Sequence, residues 1–262
     1  MSERDFAEQV VVVTGASAGV GAATAEELGR RGAAVVLAAR RAAELEVVRA
    51  RCGDRTLAVV ADVTKRGDVQ RIFDQAIAKY GRVDVWINNV GRGHLRSVLA
   101  LTDEDIDTMM TVNLKSVLYG MQVVTPHLQA RGKGAIVNVS SLVAPMKVPL
   151  SIGAYATAKA AMSRLSDELR GELRQSHPDV RVVVVYPGAI ATEFGQNGMA
   201  PDGFGQLAGM KNLGERESAE HVAHVVCEAA LSSRGDVYTL PNAAAMVRDY
   251  REQQLDQPAS TR

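Results

Sequence analysis

The sequence predicts an α/β fold in which helices cover both faces of a single parallel sheet. Short runs rich in Val and Ile alternate with longer segments of helical character, and the short runs are almost continuously apolar. Strands that are apolar on both sides are typical of a parallel sheet buried on both faces. Their regular alternation with helices indicates a doubly wound sheet.

Six apolar runs predict strands, and Val237–Leu240 is a candidate seventh strand at the sheet edge. The six are Val10–Thr14, Ala34–Ala39, Leu57–Ala61, Val83–Asn88, Ala135–Ser140 and Arg181–Tyr186. The clearest helices are Val20–Arg31, Ala42–Arg51, Lys65–Tyr80, Thr102–Ala130 and Tyr155–Gln175. The apolar residues of Thr102–Ala130 recur at helical spacing and predict packing against the core. We therefore expect about seven strands in one domain covering residues 1–262.

Two internal segments and the end of the chain interrupt this pattern. Leu142–Gly153 contains Pro145 and Pro149 and predicts a loop. Glu193–Gly214 combines many glycines with Phe, Met and Leu, which favours a mobile flap on the substrate side over an ordinary surface excursion. The polar residues Arg251–Arg262 predict a flexible tail.

Composition narrows the class of protein. The chain has 262 residues, 47% of them hydrophobic, and a net charge of 0. This balance gives no reason to expect nucleic acid or an anionic membrane as a partner. Its two cysteines, Cys52 and Cys227, fit a reducing compartment, and no apolar run reaches the ~18 residues of a membrane span. With a charged N-terminus that lacks a signal sequence, we expect a cytoplasmic protein.

The first strand runs directly into a glycine-rich turn, Thr14–Gly21, that precedes the first helix. Gly15, Gly19 and Gly21 allow a tight turn and close approach of the backbone to a ligand. The N-terminus of the following helix offers free N–H groups and a positive dipole end, which suit a pyrophosphate. A tight turn without a ligand is the alternative, but a glycine-rich turn after the first strand favours a dinucleotide site.

The end of the second strand indicates which dinucleotide is bound. An acidic residue there would accept hydrogen bonds from the ribose hydroxyls of NAD, but the chain has Ala39, Arg40 and Arg41. Because guanidinium groups pair well with phosphate, Arg40 is the candidate partner of the 2′-phosphate of NADP. Arg41 and Ser17 are candidate helpers, and Arg41 is equally well explained as a solvated residue. We expect NADP(H) to be preferred over NAD(H).

Tyr155 and Lys159 form a candidate acid/base pair on a predicted helix. Residues at i and i+4 share a helix face, so the ammonium can lie near the phenol. A positive charge at this distance lowers the pKa of a tyrosine. The pair would then exchange protons near neutral pH.

Further motifs occur in order between the glycine turn and the end of the last strand. They are Asp62-Val63, Asn88-Asn89-Val90-Gly91, Asn113, Ser140-Ser141, and Pro187-Gly188 with Ile190 and Thr192. Together with Thr14–Gly21 and the Tyr155/Lys159 pair, they resemble the motifs of the short-chain dehydrogenase/reductase (SDR) family over roughly residues 8–240. Val90 stands where that family has alanine, which should leave the turn after the fourth strand intact.

The resemblance implies a Rossmann-type fold with a catalytic tetrad of Asn113, Ser141, Tyr155 and Lys159. Tyr155 would exchange the proton, Lys159 would also bind the nicotinamide ribose, Ser141 would polarise the carbonyl, and Asn113 would hold a water. Ser141 is favoured over Ser140 because its separation from Tyr155 is closer to the family pattern. The cofactor would also contact the glycine-turn and motif residues Ser17, Ala18, Val20, Asp62, Val63, Asn89, Val90, Gly91, Pro187, Gly188, Ile190 and Thr192.

Several further polar residues are candidates for a metal site or a substrate contact, but we do not favour these functions. His221 and His224 are spaced i,i+3 on a predicted helix, but they lack a third ligand at suggestive spacing, so we expect no metal site. Arg92 and His94 follow the fourth strand, where they could touch a polar substrate. We instead predict that both are exposed loop side chains.

The resemblance implies an NADP-dependent oxidoreductase that transfers a hydride between the cofactor and a small carbonyl or secondary alcohol. A 3-oxoacyl thioester reductase, a steroid or sugar alcohol dehydrogenase, and a non-catalytic NADP sensor are the alternatives. Members of the SDR family often pair two helices across a dimer interface, and these correspond to the predicted helices Thr102–Ala130 and Tyr155–Gln175. A homodimer or homotetramer is therefore expected. The segment Tyr238–Ala245 lacks the Gly-Gly that in many members of the family ends a strand at a second oligomer interface, which argues against the tetramer more than against the dimer.

Overall fold

A computed structural model describes residues 5–147, 152–190 and 216–255. Seven parallel strands form one sheet in the order β3-β2-β1-β4-β5-β6-β7. The strands are β1 Val10–Thr14, β2 Ala34–Ala39, β3 Thr56–Val60, β4 Val85–Asn88, β5 Gly134–Val139, β6 Val180–Tyr186 and β7 Asp236–Tyr238. The predicted doubly wound sheet is confirmed, including the seventh strand, which pairs with β6 at the edge.

Helices cover both faces of this sheet. They are α1 Gly19–Arg30, α2 Ala42–Arg51, α3 Arg66–Tyr80, α4 Asp103–Met110, α5 Ser116–Arg131, α6 Gly153–Ser176, α7 Ala219–Leu231 and α8 Ala243–Leu255. One core layer lies between the sheet and α1, α2 and α7, and includes Leu28 and Val226. The other lies under α3, α5 and α6 and includes the fully buried Trp86. The apolar runs of the strands are therefore explained by burial on both sides.

The strand order reverses between β1 and β4, since β1 pairs with β2 on one side and β4 on the other. Connections leave these two strands in opposite directions, which opens a crevice at their carboxyl ends. Ligands of doubly wound sheets bind at such a crevice. The predicted glycine turn follows β1, and the Asn88–Gly91 motif begins at the end of β4.

The predicted helix Thr102–Ala130 is divided. Thr102 and Asp105 form a reciprocal capping box that starts α4, and a π-helical turn, Thr111–Lys115, separates α4 from α5. Such a turn inserts an extra residue and is frequent at functional sites. Here it contains Asn113, and periodicity alone does not reveal it because the apolar stripe continues through it.

The remaining sequence expectations fall partly outside the described residues. The flap expected at Glu193–Gly214 and residues 148–151 of the proline-containing loop lie there. Helix α8 continues to Leu255, so residues 251–255 of the expected tail are helical. Among the helices that the structure describes, none is long and apolar enough to cross a membrane.

Candidate active site

The glycine turn after β1 has a backbone that only glycine accommodates well. Gly15 and Gly19 have φ angles of +68° and +54°, in the left-handed region that side chains disfavour. A Cβ on Gly21 would overlap the carbonyl oxygen of Gly15. Helix α1 then begins after Ala18, whose side chain cannot cap the first N–H groups. The turn thus leaves backbone donors for an anionic ligand.

Hydrogen bonds join the ends of β1 and β4 beneath this turn. Thr14 Oγ1 donates to the Ile87 carbonyl over 3.1 Å and accepts from the Asn89 N–H over 3.1 Å. The Asn89 amide also donates to the Thr14 carbonyl over 3.1 Å. These bonds hold the two sides of the crevice together, and they place Asn89 against the glycine turn, 3.0 Å from where a Gly15 Cβ would lie.

The two arginines at the end of β2 differ in their contacts. Arg40 is exposed, whereas the Arg41 guanidinium donates to Ser17 Oγ over 3.2 Å and lies 3.4 Å from the Glu44 carboxylate. Arg41 is therefore tied to the glycine turn even though 45% of its side chain remains exposed. The structure brings together Arg41 and Ser17, the two residues that the sequence analysis named as helpers.

Asp62 and Val63 follow β3 at the same edge of the sheet. Asp62 Oδ1 accepts hydrogen bonds from the N–H of Thr64 over 3.1 Å and from its hydroxyl over 2.8 Å. The Asp62 N–H donates to the Asp68 carboxylate over 2.8 Å, and Val63 is buried. This internal bonding fixes the loop beside β2, at the adenine end of the expected cofactor path.

Ser141, Tyr155 and Lys159 meet where β5 ends beside α6. Tyr155 forms a hydrogen bond with Ser141. Lys159 is 2% exposed, and its Nζ donates to the Val139 carbonyl over 2.8 Å. Nζ lies 6.0 Å from the centroid of the Tyr155 ring. Ser140 instead lies with its hydroxyl 2.9 Å from Ser163 Oγ, so of the two serines it is Ser141 that reaches the tyrosine.

The pKa values of this pair correct the expectation that the lysine lowers the pKa of the tyrosine. Although Tyr155 retains some exposed surface, burial raises its pKa to about 12, against the opposing effect of the Ser141 hydrogen bond. Burial also lowers the pKa of Lys159 to about 8. Removal from water disfavours the charged form of both groups. The resulting site holds a phenol that keeps its proton and an ammonium that loses its proton readily.

Asn113 lies in the π-helical turn, fully buried. Its amide donates to the carbonyls of Arg92 over 3.0 Å and Met109 over 3.2 Å, and its oxygen accepts from the Arg92 N–H over 2.9 Å. A Cβ on Gly91 would lie 3.2 Å from both Asn113 Oδ1 and Lys159 Nζ. Asn113 and Lys159 therefore converge on the turn after β4, and the water-holding role of Asn113 stays a prediction.

Pro187, Gly188 and Ile190 follow β6 at the same edge, and Thr192 lies outside the described residues. The N–H of Gly188 donates to Glu217 Oε2 over 2.7 Å, and Ile190 pairs with Glu217 in a short parallel bridge. Glu217 is not among the site residues predicted from the sequence. Its only signal is its position before Ser218, the N-cap of α7, and acidic residues are common at helix starts for electrostatic reasons.

The residues set aside in the sequence analysis have protein partners. His94 is 1% exposed, so the expectation of an exposed side chain is wrong for it. Its Nε2 lies 3.3 Å from Asp105, a carboxylate that also pairs with Arg96 over 2.6 Å. On α7, His224 lies 3.0 Å from Glu27. In the part of the chain that the structure describes, no group of three or more His, Cys, Asp or Glu could hold a metal ion.

Comparisons with known proteins agree with this geometry. A family model described as short chain dehydrogenase matches residues 9–201. A probable galactose dehydrogenase of Rhizobium meliloti is 37% identical over 193 residues, 72% of this chain and 74% of that protein. An 11-beta-hydroxysteroid dehydrogenase A of Sesamum indicum is 37% identical over 200 residues, 73% of this chain and 55% of that protein.

Solved structures of the same class share the whole architecture. A short-chain dehydrogenase/reductase from Burkholderia phymatum in complex with NAD superimposes with a TM-score of 0.86 at 26% identity, covering 100% of this chain and 99% of that chain. A metagenomic short-chain oxidoreductase in complex with NADP gives a TM-score of 0.73 at 29% identity, covering 90% and 98%. The chain belongs to the short-chain dehydrogenase family and is an oxidoreductase that acts on CH–OH groups.

Proposed function

We propose that this short-chain dehydrogenase transfers a hydride between NADP(H) and a carbonyl or secondary alcohol substrate, with Tyr155 as the acid/base. One observation carries the proposal: the hydroxyls of Ser141 and Tyr155 are hydrogen-bonded beside the buried Lys159. All three lie at the carboxyl edge of the sheet, at which the glycine turn also opens.

The residues of the crevice fit a dinucleotide. Gly15, Gly19 and Gly21 leave room where a Cβ would strain or block the turn, and the start of α1 offers donors to a pyrophosphate. The second strand ends without an acidic residue, and Arg40 and Arg41 follow it. A guanidinium beside Ser17 suits a 2′-phosphate better than a free ribose hydroxyl. The cofactor supplies the hydride, and the protein orients the reacting carbon.

Tyr155 and Ser141 would act together on the substrate oxygen. Because the pKa of Tyr155 is about 12, the phenol carries its proton at neutral pH and can donate it as negative charge develops on a carbonyl oxygen. Ser141 would donate a second hydrogen bond to that oxygen. In the oxidative direction the deprotonated form of Tyr155, stabilised by Lys159, would take the proton from the alcohol as the hydride leaves for the cofactor.

Lys159 would stabilise the tyrosinate that remains after the proton has moved. Its pKa of about 8 leaves most of the ammonium charged at pH 7, and an opposite charge in a water-poor site favours the phenolate. Since Nζ already contacts the Val139 carbonyl, the lysine is held in place before substrate arrives. Asn113 keeps the adjoining turn after β4 in position through its bonds to Arg92.

The substrate is proposed only as a class. A sugar alcohol and a steroid alcohol are both consistent with the relatives, one of which is named a probable galactose dehydrogenase and another an 11-beta-hydroxysteroid dehydrogenase. A 3-oxoacyl thioester is a third alternative. A non-catalytic NADP sensor is less favoured, because a binding protein would not need the complete acid/base group.

The test is NADPH consumption against ketones, aldehydes, sugars, steroids and 3-oxoacyl thioesters, with NADH in parallel. Tyr155→Phe should bind NADPH as the wild type does but turn over about 10² times more slowly or worse, as expected for loss of an acid/base group. Tyr119→Phe is the matched control, since that ring packs 4.3 Å from the Arg66 guanidinium. Undiminished turnover by Tyr155→Phe would remove the tyrosine from the proposed role.

The proposal also covers the cellular location and the oligomeric state of the protein. We place the protein in the cytoplasm, where its two buried free thiols, Cys52 and Cys227, would stay reduced. We also propose a homodimer or homotetramer. Light scattering of the purified protein measures this directly, and a monomer at micromolar concentration would contradict it.

A further inference from the structure

Glu217 is a buried carboxylate that contacts the turn after β6. Only 4% of its side chain is exposed. Oε2 accepts a hydrogen bond of 2.7 Å from the N–H of Gly188, which lies 29 residues earlier in the chain. The Glu217 N–H donates to the Ala189 carbonyl over 2.8 Å. Two strong contacts from one residue thus bind the backbone of this turn.

The same carboxylate also binds the end of β7. Thr239 Oγ1 donates to Oε2 over 2.7 Å, and the Thr239 N–H donates to the Tyr186 carbonyl at the end of β6 over 3.4 Å. Glu217 therefore joins the turn after β6, the end of β7 and the start of α7.

The turn packs closely against two side chains. A Cβ on Gly188 would lie 2.9 Å from Glu217 Oε2 and 2.9 Å from Leu240 Cδ1. The turn is thus pressed against the carboxylate on one side and an apolar side chain on the other. Among the described residues, the second oxygen, Oε1, has no hydrogen-bond partner, and His221 Nε2 lies 3.4 Å from it.

We propose that Glu217 is a positioning residue for the nicotinamide half of the cofactor. It fixes the backbone of Pro187–Ile190, the segment expected to hold the nicotinamide, and so sets the place of the reacting ring relative to Tyr155. The inference rests on the proposed function. It assigns Glu217 no contact with the cofactor and no part in proton transfer.

Removing the Glu217 carboxylate should therefore weaken the binding of the nicotinamide half of the cofactor only. Without the carboxylate, the N–H of Gly188 and the hydroxyl of Thr239 lose a buried partner, and the turn can move. Binding of the adenosine half, at the glycine turn between β1 and α1, does not depend on these contacts. General unfolding of the site would instead weaken both halves together.

The experiment compares two ligands on one set of variants by calorimetry. NADPH carries the nicotinamide, and 2′-phospho-ADP-ribose is the same molecule without it. Glu217→Ala should weaken NADPH binding by about tenfold or more, the effect of leaving a buried donor unpaired, while the fragment binds within about twofold of the wild type, near the limit of interpretable differences. Glu217→Gln, which keeps an acceptor oxygen, should recover most of the NADPH affinity.

Two further variants keep the outcome clear. Glu220→Ala removes an exposed acid from the first turn of α7 and should change neither affinity. Thr239→Val removes one donor to the carboxylate and should weaken NADPH binding in the same direction but less, a readout that remains if Glu217→Ala does not fold. Equal losses for NADPH and the fragment, or no loss for either, would overturn the positioning role while leaving the oxidoreductase intact. Failure of the wild type to bind NADPH or NADH would overturn the proposed function itself, and this inference with it.

Discussion

Replacing Lys159 by methionine should stabilise the protein at neutral pH, and the gain should shrink as pH rises. Lys159 is 2% exposed, and its only described side-chain hydrogen bond is to the Val139 carbonyl. Burial lowers its pKa from 10.5 to about 8. At ~1.36 kcal/mol for each tenfold change in proton affinity, that difference corresponds to about 3 kcal/mol of cost for burying the charged form.

The sign follows from proton binding in the two states. Between about pH 8 and 10.5 the unfolded chain keeps a proton on Lys159 that the folded chain has released, so wild-type stability rises with pH in this window. The cost is present in full below pH 8 and disappears as the pH approaches 10.5. By linkage, the free energy of unfolding of the wild type rises by about 1 kcal/mol between pH 7 and 9, and the methionine variant lacks this rise.

The assay is urea denaturation of the wild type and Lys159→Met at pH 7, 8 and 9. Other titrating groups cancel in the difference between the two proteins, and the lost bond to Val139 contributes an offset that does not vary with pH. The advantage of the variant should fall by about 1 kcal/mol from pH 7 to 9. Lys133→Met, at an exposed lysine, is the control and should show no such trend. A constant difference for Lys159→Met would show that its pKa is not depressed and would refute the reasoning.

Two further predictions concern the cofactor. Arg41→Ala and Arg40→Ala should each weaken NADPH binding by about tenfold, the effect of losing a charged hydrogen bond, and should change NADH binding little. Titration of each variant with both ligands measures this. Equal losses for NADPH and NADH would contradict the 2′-phosphate assignment. Gly21→Ala should weaken binding of both cofactors by about tenfold or more, because relieving the overlap with Gly15 costs ~1–3 kcal/mol. Unchanged affinity for that variant would mean that the turn does not cradle the ligand.

Much of the fold and part of the site follow from local patterns. Apolar runs predict buried parallel strands because both faces of each strand must be covered, and all six predicted runs differ from the observed strands by at most two residues at either end. The Thr14–Gly21 turn could be predicted because left-handed φ angles demand glycine. The resemblance to the SDR family favours Ser141 over Ser140 as the catalytic serine, and the structure brings Ser141 and Tyr155 together.

Other features depend on residues far apart in the chain, which no local pattern connects. The pKa of Tyr155 runs against the simple charge-pair expectation because burial, a property of the packed structure, outweighs the hydrogen bond with Ser141, and burial also lowers the pKa of Lys159. The burial of His94 depends on Asp105, across the start of α4.

Local patterns in the sequence predict the doubly wound sheet and the glycine turn, because periodicity and spacing record local backbone requirements. The identities of the tetrad residues come from the resemblance to the SDR family. The packed structure was needed to show that Arg41 contacts Ser17, that a π-helical turn carries Asn113, and that Glu217 binds the turn at Gly188. Desolvation and long-range hydrogen bonds arise when distant segments pack, so they leave no periodic signal in the chain.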